Sequence, residues 1–174
     1  TYLALFAKAA CAAIRRFPEV NAHFSTDGIS VLEDVHLGIA VDTDRGLMVP
    51  VLRNARTRSV LSIAQAIEEL ASNARDGSLP AEQLHGSTFT ITSIGPLRVQ
   101  GFTPRLNTPE VAILGIGAIQ EEPAVHQGVV MPRKILTLSL TFDHRAMDGA
   151  YAARFLSHLV ELFEDPELLV LEGV

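Results

Sequence analysis

Apolar positions recur with a helical period in three segments of the chain, and each segment predicts a helix. Residues 2–17 are rich in Ala and Leu on nearly every side and end before Pro18, so this helix is expected to be buried on most of its circumference. Residues 59–75 begin at Ser59, a favoured N-cap type, and carry an apolar stripe on one face. Residues 149–164 form a final amphipathic helix.

In the first half of the chain the period changes to that of β-strands after the first helix. Strand chemistry runs from residue 28 to 42, and at positions 35–41 apolar residues alternate with small or polar ones, which predicts a strand with one apolar face. A turn is expected at 44–46. Residues 47–52 predict the next strand, and Pro50 places it at a sheet edge or a bulge because proline has no N–H to donate.

The second half contains three further predicted strands. Residues 87–93 are rich in threonine, and a loop punctuated by Gly, Pro and Asn follows at 95–109. Residues 111–119 form a continuous apolar run of strand length, which is typical of a buried central strand. After a turn at 127–128, residues 135–142 alternate between apolar and hydroxyl-bearing positions. Strands interspersed with helices indicate an α/β class with a mixed sheet.

Composition narrows the class of protein. The chain has 174 residues, of which 48% are hydrophobic, so we expect one domain over residues 1–174 with a sizeable core. The net charge of -6 argues against a nucleic-acid binder, and no apolar run is long enough to predict a membrane span. A single cysteine, Cys11, excludes an internal disulfide framework and a cysteine-rich metal site, so no metal is expected; Cys11 itself is interpreted as a small buried hydrophobe.

The candidate chemistry begins with a histidine at the end of a strand. His144 follows the last alternating strand, and Asp148 and Gly149 come four and five residues later, directly before a helix. A neutral imidazole accepts protons near neutral pH and can deprotonate an attacking thiol or hydroxyl. The alternative is a hydrogen-bonded structural histidine, with Asp148 as an ordinary N-cap. For Asp148 both interpretations can hold, because a cap also fixes the turn that aims His144.

A second candidate is the hydroxyl group at the end of the threonine-rich strand. Thr88, Thr90 and Thr92 share one face, and Ser93 and Gly95 follow where the strand becomes a loop. A hydroxyl there can donate to a developing oxyanion. The alternative is the ordinary preference of threonine for strands.

Six blocks of sequence, taken in order, resemble the catalytic domain of the dihydrolipoamide acyltransferases, which shares its fold with chloramphenicol acetyltransferase. The blocks are Phe17-Pro18 with Asn21-Ala22, residues 36–43 (HLGIAVDT), 45–51 (RGLMVPV), 86–95 (GSTFTITSIG), 107–117 (NTPEVAILGIG) and 138–155 (LSLTFDHRAMDGAYAARF). The resemblance implies an α/β fold, a chloramphenicol acetyltransferase-like mixed-sheet sandwich with flanking helices.

The resemblance also implies roles for individual residues. The activity would be transfer of an acyl group from a lipoyl-lysine thioester to coenzyme A, with His144 as general base. Thr92 occupies the place where the family usually has serine, the donor to the tetrahedral oxyanion, and Ser93 is the alternative hydroxyl. Asp148 would orient the turn through an ion pair. Positions expected near the coenzyme A end of the channel are Asp42, Ser93 and Gly117.

The implied assembly is a homotrimer with its active sites between subunits, so that His144 of one chain faces Thr92 of the next. Trimers would build a cubic or dodecahedral core that works with a decarboxylating dehydrogenase, dihydrolipoamide dehydrogenase and a lipoyl domain, in the bacterial cytoplasm or the mitochondrial matrix. The apolar residues 168–171 would dock against another trimer, or else be buried within their own chain.

The chain departs from the family in two places, and one further stretch bears on the identity of the acyl group. Family members carry about one more strand-and-helix block before residue 1, besides lipoyl and subunit-binding domains, so the chain is expected to be a fragment, and the ion-pair partner of Asp148 is expected in that block. The loop 96–100 lacks the glycine-rich sequence that is usual in the family. Residues 92–95 resemble acetyl-type or branched-chain members more than succinyl-type ones.

Two alternatives remain open. Other H-x-x-x-D acyltransferases are much longer, and condensation domains usually show paired histidines where this chain has Asp143 and His144. A non-catalytic scaffold of the same kind of complex is the second alternative, against which the retained His144, Asp148 and hydroxyl at position 92 argue.

Overall fold

The computed structural model describes residues 2–171. Its helices are α1 (Tyr2–Arg16), α2 (Val60–Asp76), α3 (Gly149–Glu164) and α4 (Pro166–Leu171). Its strands in the first half of the chain are β1 (Ala22–Ser25), β2 (Gly28–Val31), β3 (Leu37–Ile39), β4 (Val41–Thr43), β5 (Gly46–Met48) and β6 (Val51–Leu52). The remaining strands are β7 (Phe89–Ser93), β8 (Ala112–Ile116), β9 (Gln120–His126), β10 (Val129–Ile135) and β11 (Leu138–Phe142).

The predicted helices are confirmed, together with the local features that end them. α1 is buried on most sides. Even its charged residue Lys8 is only 9% exposed, and the Lys8 Nζ donates to the carbonyl oxygens of Arg56 and Arg58 at 3.2 and 2.8 Å. The Oγ of Ser59 accepts a hydrogen bond from the backbone N–H of Ser62, as expected of an N-cap. α2 ends at Gly77, whose φ of +71° suits glycine.

A five-stranded mixed sheet in the order β11-β8-β7-β3-β6 forms the centre of the fold. β3, β7 and β8 run parallel, whereas β6 and β11 pair antiparallel at the two edges. Every residue of β8 is buried between β7 and β11, which confirms the interpretation of the apolar run as an interior strand. The predicted strand 47–52 is divided, because residues 46–48 form β5, which pairs with β4, and Pro50 lies between β5 and β6; β6 itself lies at the sheet edge, as expected.

The prediction of one strand over positions 35–41 is wrong in two respects. β3 ends at Ile39, although Ala40 N still donates to Ile91 O of β7 at 3.0 Å, and from Val41 onward the chain leaves the central sheet and forms a separate hairpin of β4 with β5. All three residues of β3 are buried, so its small face is covered as well as its apolar face. Gly38 permits this, because a β-carbon there would collide with the hydroxyl of Thr90 on the neighbouring strand.

The structure also differs from the prediction at residues 135–142 and at β1. The alternating segment 135–142 is divided, since Ile135 ends β10 and β11 begins at Leu138. Between them Thr137 O accepts a hydrogen bond from Gly117 N at 2.9 Å, which joins this corner to the end of β8. β1 was not predicted, because four residues give too short a pattern to separate from a loop.

β9 and β10 form a long antiparallel hairpin around the predicted turn at Gln127 and Gly128. β10 is exposed along its length, and the hairpin carries large exposed apolar side chains: Val125, Val129, Val130 and Met131. At the C-terminal helix, Leu168 and Leu169 pack against the core and Leu171 is 81% exposed. Docking of this helix against another trimer remains a prediction.

The core lies between the sheet and the helices that flank it. Its fully buried large side chains include Leu37, Phe89, Leu114 and Phe155. Cys11 is 3% exposed in this core, and burial raises the pKa of its thiol to about 12, which fits the interpretation of this residue as a small hydrophobe. Within residues 2–171, every helix is too short or too polar to span a lipid bilayer.

Candidate active site

An open cavity of about 830 Å³ lies where α1 and α2 cover the ends of β7 and β8. Its wall is mainly apolar and includes Ile39, Val41, Ile67 and Ile116. Four residues that the sequence singled out also line it: Asp42, Thr92, Ser93 and Gly117. The fold therefore brings the predicted oxyanion donor together with the three positions expected near the coenzyme A end of a channel.

Thr92 is the threonine of its strand that reaches the cavity. Thr88 and Thr90 are 4% and 1% exposed, and their hydroxyl groups are engaged inside the fold, Thr88 with the backbone of His36 and Thr90 with the amide of Asn107. Thr92 is half-buried at the end of β7 and lines the cavity. Ser93 also lines it, and its Oγ accepts the backbone N–H of Gly95 at 3.4 Å.

Gly117 is required by the close approach of a neighbouring loop. A β-carbon at this position would collide with the carbonyl oxygen of Gln100. The loop 96–100 is held beside β8 by this contact and by the hydrogen bond from Ala118 N to Val99 O at 2.8 Å. Gly117 therefore shapes one wall of the cavity through its missing side chain.

His144 lies on a tight turn directly after β11. Asp143 N donates to Val111 O at 2.8 Å, and Ala146 N donates to Asp143 O at 2.9 Å, which closes the turn. The imidazole ring is exposed and packs on Phe142 with a centroid separation of 4.6 Å. The turn therefore presents the imidazole at the surface of this chain.

Asp148 has the capping role that the sequence allowed for it. Its Oδ1 accepts the backbone N–H of Tyr151 at 2.7 Å at the start of α3. Among residues 2–171 its carboxylate has no ion-pair partner within 4 Å. The cap fixes the end of the turn that carries His144, and the predicted ion pair remains a prediction.

Within one chain the structure does not bring His144 and Thr92 together. Thr92 is level with Gly115 of β8, whereas Phe142, two residues before His144, is level with Ala112 at the opposite end of that strand. The offset of three residues along β8 corresponds to about 10 Å. The two strand spacings from β7 across β8 to β11 add about 10 Å sideways. His144 and Asp148 are also absent from the wall of the cavity. The candidate residues thus form two half-sites on different parts of the surface.

The pair formed by Asp143 and Arg145 in the His144 half-site was not predicted from the sequence. Arg145 binds the carboxylate of Asp143 through Nε and Nη2, at 2.9 Å from Oδ1 and 2.6 Å from Oδ2, and these hydrogen bonds lower the pKa of Asp143. The Arg145 guanidinium also stacks on the ring of Phe24, 3.8 Å from its centroid. An acid two residues before an arginine was a signal for this pair, but the Phe24 contact joins residues distant in the sequence.

A buried polar cluster beneath this turn was also missed. Glu110 is 3% exposed, and one carboxylate oxygen is bonded to the hydroxyl of Ser87 and to the amide of Asn107. Burial raises the pKa of Glu110, and its hydrogen bonds with Ser87, Thr90 and Asn107 partly offset that effect. Because Val111 follows directly and accepts from Asp143 N, the cluster supports the strand to which the His144 turn is attached.

Metal-binding side chains do not form a site in the part of the chain that the structure describes. No three His, Cys, Asp or Glu side chains of residues 2–171 come together as possible ligands. The side chains that the two half-sites present are an imidazole and hydroxyl groups, which can act as a base and as hydrogen-bond donors.

Residues 1–171 match the family described as 2-oxoacid dehydrogenases acyltransferase (catalytic domain). The chain is 43% identical over 175 residues to the dihydrolipoyllysine-residue acetyltransferase component of the pyruvate dehydrogenase complex of Staphylococcus aureus. This similarity covers 99% of the chain and 41% of that relative, so the chain spans about two fifths of the relative's length.

Two solved structures have nearly the same backbone. Dihydrolipoamide acetyltransferase of Azotobacter vinelandii superposes with a TM-score of 0.94 at 39% identity, covering 98% of this chain and 71% of that one. That structure belongs to an investigation of the role of a serine, a histidine and an asparagine in its catalytic mechanism. The cubic core of the pyruvate dehydrogenase multienzyme complex gives the same TM-score of 0.94 at 40% identity, with the same coverage.

Chloramphenicol acetyltransferase shares the fold at much lower sequence similarity. Its TM-score is 0.57 at 13% identity, over 91% of this chain and 76% of that one. This likeness, together with the five-stranded mixed sheet and its flanking helices, confirms the fold expected from the sequence.

Proposed function

The chain belongs to the family of 2-oxoacid dehydrogenase acyltransferase catalytic domains, and from this premise we propose that it transfers an acyl group between a lipoyl-lysine thioester and coenzyme A. The observation that carries the proposal is the pair of half-sites. One presents an imidazole on a fastened turn, and the other presents a hydroxyl in an apolar cavity. Together they supply the base and the oxyanion donor that thioester exchange requires.

In the proposed reaction His144 takes the proton from the thiol of coenzyme A as its sulfur attacks the thioester carbonyl carbon. A free thiol has a pKa of about 8.5, so an imidazole base is well matched to it near neutral pH. The tetrahedral intermediate then breaks its bond to the lipoyl sulfur. That sulfur leaves as a thiolate and regains the proton from His144, so the base is restored after each turnover.

Thr92 would stabilise the negative oxygen of the tetrahedral intermediate with its hydroxyl group. The spacing in the Azotobacter vinelandii enzyme supports this assignment, because its serine precedes its histidine by 52 positions, as Thr92 precedes His144. The asparagine of that enzyme follows the histidine by four positions, where this chain has Asp148. Both Asn and Asp can cap a helix, so the role proposed for Asp148 is to fix the turn that aims His144.

The separation of the half-sites supports a site shared between subunits. We propose that the chain forms a homotrimer in which the cavity of one subunit receives His144 of its neighbour. In a ring of three identical subunits such a contact repeats and closes, which yields three complete sites. The cubic core of the pyruvate dehydrogenase complex, which has nearly the same backbone, favours a cubic assembly of such trimers.

The relatives support an acetyl group as the acyl group that is transferred. Similarity to pyruvate dehydrogenase components at 43% identity supports acetyl transfer over succinyl transfer, in agreement with residues 92–95, and a branched-chain acyl group is the second candidate. The proposed partners are accordingly a lipoyl domain, a decarboxylating dehydrogenase and dihydrolipoamide dehydrogenase. The bacterial source of these relatives favours the bacterial cytoplasm over a mitochondrial matrix.

The test is acyl transfer by the assembled full-length protein, with acetyl-, isobutyryl- and succinyl-dihydrolipoamide offered in parallel and coenzyme A as acceptor. We expect turnover with the acetyl donor, and a fall of about 1,000-fold in kcat for the His144→Ala variant. Turnover of the isobutyryl donor alone would assign a branched-chain complex instead. An equal rate in the His144→Ala variant would contradict the role of His144 as base, and no turnover of the assembled parent protein with any donor would leave the non-catalytic scaffold.

A further inference from the structure

The cavity changes from apolar to charged along the helix that forms one of its walls. α2 contributes Ile67, Ala71 and Arg75, which are four residues apart and therefore form one stripe about 12 Å long. Ile67 is 7% exposed and Ala71 is half-buried, whereas Arg75 in the last helical turn is exposed. Arg75 therefore lies at the outer end of the stripe, at the mouth of the cavity.

The facing wall shows the same order. Ile39 and Val41 are 1% and 5% exposed, and Asp42, the next residue, is exposed. The end of α2 meets the turn of this β4–β5 hairpin, because the guanidinium of Arg45 lies against Gly77, two residues after Arg75. Asp42 and Arg75 thus belong to the same mouth.

Arg75 is the one basic residue in the cavity wall, which is built within residues 2–171. Its guanidinium has no hydrogen bond or ion pair in the part of the chain that the structure describes, and it makes no ion pair with Asp42. The carboxylate of nearby Asp76 accepts the hydroxyl of Ser72 at 3.2 Å instead. Five N–H donors in a planar fork are therefore open to a ligand at the mouth.

We propose that Arg75 binds a phosphate group of coenzyme A, which rests on the proposed function of this cavity. Guanidinium groups bind phosphate through paired, charge-assisted hydrogen bonds, and an apolar channel behind them suits the uncharged arm that carries the thiol. Arg45 adds a second positive charge at the same rim. The arm then extends along Ile67 and Ala71 toward Thr92 at the end of β7.

The experiment compares three thiol acceptors in acyl transfer by the assembled full-length protein: coenzyme A, dephospho-coenzyme A and pantetheine. The variants are Arg75→Ala and Arg75→Lys, with Arg154→Ala as matched control, because Arg154 is an exposed helical arginine outside the cavity wall. For Arg75→Ala we expect KM for coenzyme A to rise about tenfold at unchanged kcat, which is the scale of one lost hydrogen bond to a charged group. With pantetheine, kcat/KM should stay within about twofold of the parent protein, because that acceptor has no phosphate.

Each further outcome has a defined meaning. If the effect of Arg75→Ala disappears with dephospho-coenzyme A, the contact is to the 3′-phosphate, and if it persists, the contact is to the diphosphate. Equal losses with coenzyme A and pantetheine would overturn the proposal, and so would a higher KM for the acyl-dihydrolipoamide donor alone, since the mouth would then admit the lipoyl arm. If the parent protein transfers no acyl group, the proposed function fails, and calorimetric titration with coenzyme A and pantetheine still tests the role of Arg75.

Discussion

Arg145 binds the carboxylate of Asp143 with two nitrogens, and His144 lies between these two residues in the chain. The same carboxylate accepts the backbone N–H of Arg145 at 2.9 Å, while the backbone of Asp143 is attached to Val111. Because the guanidinium also stacks on Phe24, the turn is fastened to β1 as well as to the start of β8. The position of the imidazole is therefore set by its two neighbours in sequence.

Replacing Asp143 by Asn should reduce catalysis more than stability. Asn keeps the size of the side chain but loses the paired ionic hydrogen bonds, so the turn loosens and His144 spends less time aligned. We expect kcat to fall about tenfold, since small misplacements of a catalytic group are costly, while KM for coenzyme A changes less than about twofold. Steady-state kinetics beside Asp27→Asn, an exposed carboxylate in another turn, would measure this, and an unchanged kcat would contradict it.

The pH dependence of this ion pair has a definite sign. Hydrogen bonds from Arg145 lower the pKa of Asp143, so the pair stabilises the folded protein above the usual pKa of an aspartate and loses that contribution as the pH falls through the lowered value. We therefore expect the turn to remain intact from neutral pH down to about pH 4. An NMR titration of the Asp143 carboxyl carbon would show its midpoint below 3.8, and a midpoint above that value would contradict the assignment.

Mixing two inactive variants tests whether the half-sites belong to different subunits. Each site of a trimer would take its base from one chain and its hydroxyl from the next. In trimers reassembled from equal amounts of His144→Ala and Thr92→Ala chains, about a quarter of the sites would then contain both wild-type residues. We expect about a quarter of the wild-type activity in the mixture. Activity no higher than the mean of the separate variants would mean that both residues act from one chain.

Thr92 and Ser93 should differ in their effect on the rate. Removing an oxyanion donor reduces kcat by about 100-fold or more, so Thr92→Ala should show this loss and Thr92→Ser should retain activity within about threefold. Ser93→Ala should cost less than about threefold, because Thr92 is the proposed oxyanion donor and Ser93 is the alternative hydroxyl. A large loss for Ser93→Ala with a small one for Thr92→Ala would transfer the role to Ser93.

Glu110 should make stability depend on pH in the direction opposite to Asp143. Its raised pKa favours the neutral acid in the folded state, so the free energy of unfolding should fall as the pH rises from about 4.5. Glu110→Gln should remove this slope, whereas Glu110→Ala should cost about 1–3 kcal/mol at every pH, because the buried Ser87 hydroxyl loses the acceptor to which it donates. Urea denaturation at pH 4 and pH 7, with exposed Glu69→Gln as control, measures both effects, and an unchanged slope in Glu110→Gln would contradict the assignment.

The sequence predicted those elements whose signals are local. The cap at Ser59 and the buried run of β8 each depend on neighbouring residues, and both lie where they were expected. The strand over positions 35–41 was misjudged because from Val41 onward the chain pairs with β5 instead of continuing in the central sheet. Alternation alone carries no information on such a partner.

Prediction of the candidate site from the sequence was limited in the same way. The blocks that resemble a known family pointed to His144 and to four residues of the cavity wall as candidates, but the cluster around Glu110 joins Ser87 and Asn107 of two loops with Thr90 of β7. The mouth at Arg75 likewise depends on α2 meeting the β4–β5 turn. Both are consequences of packing between elements that are distant in the sequence.

The position of β11 at an edge of the sheet also determines when the His144 turn can form during synthesis. Its hydrogen-bonded neighbour is β8, whose other side is already joined to β7. A nascent chain that has emerged as far as Ile135 contains the other four strands of the sheet, α1, α2 and the β9–β10 hairpin. All of the cavity wall except Leu136 can therefore assemble first, and the turn that carries the base acquires its shape after β11 pairs with β8.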